Sequence, residues 1–263
     1  MAEYIKSGKS VTYDGAVIFT GEEVVRSIKM ANEALLRLNE STKEFDINIF
    51  EVLGMRNLSG LVGEYFGKCL LKVSAGDLSP NLHQDGYPDL LLTNSEETKN
   101  YYMSLYQVRG GKMYPLSKEF FSPYKYGGIE VKASCGNTPS AKKVAKPLVG
   151  EQRVSLITSF DWKAHHRHTN HLLAVLWDFV NENPTIVAAF YHDKLTEDDW
   201  GELVKPREDG GRTTSVSIMR SQGVTKMCRN WIAVIDDAVY LNKLSAKKWI
   251  GYRVGHERTL SLF

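Results

Sequence analysis

Two carboxylates and an amine, carried on two apolar runs, are the residues of this chain best suited to chemistry. Pro88 and Asp89 open the run PDLLLT, residues 88–93, and Glu130, Val131 and Lys132 lie inside GIEVKAS, residues 128–134. Both runs read as strands. Residues two apart on a strand point the same way, so Glu130 and Lys132 share a face while Ile129, Val131 and Ala133 turn into the core. A carboxylate and an amine on a central strand are costly to bury unless something uses them. If the strands are neighbours, Asp89 and Glu130 converge and can bind a hard divalent cation through oxygen. Lys132 can then orient a water and help deprotonate it, while the cation stabilises charge building on a phosphate. Together these groups are equipped for phosphodiester hydrolysis.

Pro88-Asp89 followed by Glu130-x-Lys132 resembles the signature of the PD-(D/E)xK nucleases, over residues 88–93 and 127–134. The resemblance implies that Asp89, Glu130 and the Val131 carbonyl hold Mg2+ and that Lys132 activates water. It implies a restriction-endonuclease-like fold, a mixed α+β domain with a central mixed sheet flanked by helices. The expected activity is that of a type II restriction enzyme cutting specific double-stranded DNA to leave 5′-phosphate ends. A homodimer would suit a palindromic site. A cognate methyltransferase is expected as a genetic neighbour rather than a physical partner. Two alternatives stay open: a repair or junction-resolving nuclease of the same fold, and a non-catalytic DNA-binding module in which the three residues form a buried ion network.

Other residues compete for the role. Glu97-Thr98-Lys99 and Asp161-Trp162-Lys163 also fit the second half of the signature. The first lies in a polar stretch and the second at a strand's expected end, so Glu130 is preferred. Glu64, on a helix expected over 58–72, falls on the side carrying Gly60, Gly63 and Gly67, and is the candidate for an added acidic residue. Its plainer role is pairing with Lys68 one turn on. The run AHHRHTNH holds His165, His166, His168 and His171. It lacks the HExxH pattern and any cysteine or acidic partner for zinc. DNA contact through His165 and His168 is a better expectation than zinc, with a helix-capping run facing solvent as the plain alternative. GEYFGKC has too few residues between its glycines for a phosphate loop, and Cys69 stands where Ser or Thr is needed.

Gly210–Arg229 is dense in donors suited to base edges and phosphates: Arg212, Thr213, Thr214, Ser215, Arg220, Gln222, Lys226 and Arg229. Its alternation suggests a strand or hairpin entering a groove, with an ordinary half-exposed hairpin as the plain alternative. Lys142, Lys143 and Lys146 follow the catalytic strand and could clamp phosphates, or form a solvated loop.

The elements that must position these groups read as helices first, then strands. Thr20 to about Asn39 is amphipathic, with Thr20 as cap and Glu22 and Glu23 at the positive end. Strands are expected at 154–160 and 185–191, a helix at 171–180, strand-like stretches at 101–108 and a loop at 136–152. One nuclease domain would span 1–263, with 94–128 inserted between the catalytic strands and 205–263 as a recognition region. Hydrophobic residues are 43%, charged residues 24% and the net charge is +2, so DNA binding must come from local patches. The three cysteines form no CxxC pair, which argues against a disulfide framework or a cysteine zinc site. With no apolar leader and no membrane-length run, a cytoplasmic protein without membrane contact is expected.

Overall fold

The computed structural model describes residues 2–83, 86–116, 126–139, 149–205 and 215–255. The described chain begins with strands β1 (Tyr4–Lys6), β2 (Val11–Tyr13) and β3 (Ala16–Phe19), then helices α1 (Gly21–Lys43), α2 (Ile49–Val52) and α3 (Met55–Val73). Strands β4 (Leu78–Pro80) and β5 (Leu90–Leu92) follow, then α4 (Glu96–Ser104), β6 (Tyr106–Arg109) and β7 (Lys112–Pro115). The long strands come next: β8 (Gly128–Ser134), the short β9 (Lys163–Ala164), β10 (Leu172–Val180) and β11 (Asn183–His192). The chain closes with β12 (Ser217–Ile218), α5 (Ser221–Arg229), β13 (Trp231–Ile235) and α6 (Ala238–Ser245).

Seven strands form one mixed sheet in the order β1-β13-β11-β10-β8-β5-β4. β8 and β10 run parallel, and the other paired neighbours run antiparallel. Helices flank the sheet: α1 and α3 pack on each other and against it, α5 lies on β11 and α6 on β13. No helix among the described residues is long and apolar enough to cross a membrane.

Local chemistry explains the helices. Thr20 caps α1: its side chain accepts from the Glu23 N–H at 3.2 Å and Glu23 accepts from the Thr20 N–H at 2.8 Å, a reciprocal box that satisfies two orphan donors. Val24, Ile28, Ala31 and Leu35 then bury one stripe. In α3 the buried stripe is Leu58, Val62, Phe66, Cys69 and Leu70.

The 171–180 run is not a helix but strand β10, at the centre of the sheet. Every residue from Leu172 to Phe179 is buried, and an apolar run that reaches all sides carries no periodicity to separate helix from strand. The hairpin to β11 turns on Asn181 and Glu182, at φ 48° and 66°, the two positive values of a type I′ connection. Residues 154–160 are not a strand either. Val154, Ile157 and Phe160 are buried at every third position, and Leu156 N–H closes a turn on the Arg153 carbonyl at 2.8 Å. Asp178, fully buried on β10, pins this segment by accepting from the Arg153 and Val154 N–H groups at 2.9 and 2.8 Å. The strand-like stretch 101–108 divides into the end of α4, capped by Ser95, and β6. The 205–263 stretch contributes β13 to the main sheet.

Candidate active site

Pairing of β5 with β8 brings the two halves of the expected site together. Leu90 lies opposite Ile129 and Leu91 opposite Gly128. Asp89, one residue before β5, therefore reaches across to β8, and its Oδ2 accepts from the Val131 N–H at 2.8 Å. Asn81 holds Asp89 from the other side. Its N–H donates to the Asp89 carbonyl at 3.0 Å and its side-chain amide to the Pro88 carbonyl at 3.0 Å.

Lys132 completes the group. Its Nζ lies 2.6 Å from Glu130 Oε1 and 3.4 Å from Asp89 Oδ2, and donates to the Val131 carbonyl at 3.0 Å. One ammonium thus ties two carboxylates from different strands. Glu130 is buried, and its Oε2 has no hydrogen-bond partner among the described residues. An unpartnered carboxylate oxygen in the interior is expensive. Burial first, and then the neighbouring Asp89, push the Glu130 carboxyl up to about 7. Burial works against the Lys132 charge, but Asp89 and Glu130 outweigh it and hold the ammonium above its ordinary value.

A cleft of about 450 Å³ opens beside these groups, lined by Asp89, Val131 and Lys132 on the sheet side and by Gly60, Gly63, Glu64 and Gly67 of α3 opposite. A Cβ on Gly63 would meet the Ala133 Cβ at 3.6 Å, whereas on Gly60 or Gly67 it would meet nothing within 4 Å. The glycine face of α3 therefore comes close to β8 at one point and leaves space above and below it. Glu64 sits in the cleft wall, as its helical position implied, and it makes no ion pair with Lys68. Glu130 itself is not in the cleft wall; it stands behind Lys132.

The donor set fits a hard divalent cation: the Asp89 carboxylate, the Glu130 carboxylate with its unpartnered oxygen, and the Val131 carbonyl. Among the described residues no three His, Cys, Asp or Glu side chains come together as a metal-binding group. Protein oxygens here would thus hold a cation only with water or phosphate oxygens completing its shell.

Neither competing triplet draws carboxylates together from two different elements. Asp161 and Lys163 pair only with each other, at 3.1 Å, and both are substantially exposed. Glu97 lies on α4, where it accepts from the Tyr126 hydroxyl, and Lys99 pairs with Glu96.

In the histidine run His166 and His168 stack with centroids 5.9 Å apart, while His171 packs elsewhere. His166 packs at a 31° tilt against Tyr87, centroids 3.8 Å apart, two residues before Asp89. His168 lies 3.1 Å from Glu197, which Arg167 also approaches at 3.7 Å. His171 is buried against Tyr13 at 4.1 Å, and burial lowers its pKa. His165 is exposed.

The donor-rich stretch is not a groove-entering hairpin over its described part. Ser217 and Ile218 pair with β9, and 221–229 forms α5. Several of its donors are used internally. Gln222 donates to the Asp198 carbonyl at 2.8 Å, and Lys226 binds the buried Asp199 carboxylate at 2.7 Å. Arg220 and Arg229 remain exposed and Ser215 is half-buried. Arg212, Thr213, Thr214, Lys142, Lys143 and Lys146 lie outside the described residues.

Sequence reasoning missed Asn81, which holds the Pro88–Asp89 backbone, and Tyr13, which stacks on His171. Only the Asn–Pro neighbourhood of SPNLH hinted at the first. Comparison of the chain with protein-family models, curated proteins and solved structures finds no significant match.

Proposed function

We propose that the chain is a Mg2+-dependent endonuclease acting on double-stranded DNA, with Asp89, Glu130 and Lys132 as its working groups. The observation that carries this reading is the convergence of all three from two strands, with one Glu130 oxygen buried and unpartnered. Asp89, Glu130 and the Val131 carbonyl would hold the cation. Bound Mg2+ supplies positive charge for phosphate oxygens and makes water a stronger acid. Lys132, protonated at neutral pH, donates: it orients water and offsets charge on a phosphate in the cleft. Glu64, which lines the same cleft as Asp89, would accept a hydrogen bond from that water. A type II restriction enzyme acting as a homodimer is the finer form of this reading, since two strands must be cut by one site per subunit.

Plasmid cleavage with and without Mg2+ tests it. Cleavage should require the metal, and Asp89→Ala or Glu130→Ala should lower the rate on the order of a hundredfold or more. Both variants should still bind DNA in Ca2+. Full activity of either variant overturns the assignment. A second reading has its own observation: Lys132 already contacts both carboxylates, which closes the network as a structural ion cluster in a DNA-binding module would. Intact plasmid after prolonged incubation in Mg2+ selects that reading.

A further inference from the structure

Two strands away from the candidate active site, at the same end of the sheet, lies an open recess of about 730 Å³ walled by α5. Glu130 pairs with Leu172, and Leu172 with His192, so Glu130 and His192 occupy one row. Two strand spacings separate them, roughly 10 Å. The recess wall carries Lys9, His192, Gln222, Lys226, Arg229 and Asn230. Its charge is positive and incompletely matched. Lys226 is neutralised by the buried Asp199, but among the described residues Lys9 has only the neutral Asn230 amide oxygen, at 2.6 Å, and the exposed Arg229 makes no ion pair. Asp193 lies outside the recess wall, where it accepts from the Thr12 hydroxyl at 3.2 Å. Burial lowers the His192 pKa; the Lys226 charge adds to this and Asp193 and Asp199 oppose it.

We infer that this recess grips the phosphate backbone of a DNA duplex through Lys9 and Arg229, to one side of the candidate cleavage site. The inference rests on the nuclease reading for its partner. It assigns α5 a backbone-holding task, because the amide of Gln222 and the ammonium of Lys226 are already spent within the fold. Phosphate contacts strengthen binding to all sequences alike.

The test measures affinity for a mixed-sequence duplex against salt concentration, in Ca2+, with the Asp89→Ala protein so that cutting does not interfere. Lys9→Gln and Arg229→Gln should each reduce the slope of log affinity against log salt by about 1. Lys9→Arg and Arg229→Lys should restore it. Unchanged slopes overturn the inference, as does absence of duplex binding. Displacement of duplex by inorganic phosphate beyond the effect of chloride at equal ionic strength also overturns it, since the recess would then be a small-anion site. If the unsubstituted protein fails to cut plasmid while the slopes fall as expected, the catalytic reading fails and the recess stands. If it cuts and the slopes do not move, the recess alone fails.

Discussion

At the scale of single residues, the candidate site turns on how much Glu130 costs to ionise. Its folded value lies near 7, against an ordinary 4.5. The folded state therefore holds a proton that the unfolded chain has lost. The stability this contributes is full below about 4.5 and is lost as pH rises through about 7. With chelator present, thermal stability should fall between pH 5 and 8 by more in the native protein than in Glu130→Gln. The difference has an upper bound on the order of 3 kcal/mol. Parallel pH profiles for the two proteins would show that Glu130 does not titrate in this way. Lys132 and Lys163 offer a second comparison. Only Lys132 bridges two carboxylates, so Lys132→Ala should slow single-turnover cleavage on the order of a hundredfold, against little change for Lys163→Ala. The opposite ranking would move the site to Asp161. The three central groups were legible because a period of two on an apolar strand is a local signal. Asn81 was not, because its role consists of hydrogen bonds made through a neighbouring strand.

At the scale of elements, α1, α3, β5, β8 and β11 were legible from capping and periodicity. The burial of β10 on all sides erased its pattern, and α5 was obscured because its donors resemble those of a recognition surface. The junction before β8 illustrates what packing adds. Gly127 and Gly128 have φ of 85° and 152°. A Cβ on Gly127 would run into the Tyr13 hydroxyl, and one on Gly128 would lie 2.5 Å from the Pro88 side chain. Gly128→Ala should therefore push β8 away from the Pro88–Leu90 segment, with a stability loss on the order of 1–3 kcal/mol and loss of cleavage greater than unfolding explains. Activity and melting temperature equal to those of the native protein would refute this. The histidine loop makes a related point. If its task is to hold Tyr87, and through it Asp89, then His166→Phe should keep most of the activity and His166→Ala should lose roughly tenfold or more. Equal losses in the two variants would instead mean that the imidazole itself touches the substrate.

At the scale of the whole molecule, a net charge of +2 gave no sign of nucleic-acid binding. The positive recess beside α5 arises only when β1's following loop, the end of β11 and α5 meet. Lys9 and Asn230 are far apart in sequence, and no composition window could join them. The same scale decides how two strands of a duplex would be cut. The described fold offers one Asp89–Glu130–Lys132 group per chain. A single copy acting alone must nick one strand, release or turn, and nick the other, so open-circle plasmid should build up before linear product. Two copies related by a two-fold axis place a site on each strand and convert supercoiled plasmid to linear in one binding event. We expect the second course. Sedimentation of the Asp89→Ala protein on a duplex in Ca2+ should give two chains per DNA, and linear product should appear without an open-circle lag. A mixture of native and Asp89→Ala protein should then accumulate open circles, because each mixed pair can cut only one strand. Independent action of single chains would leave the course of the native fraction unchanged apart from its concentration, and that result would exclude the dimer as the cutting unit.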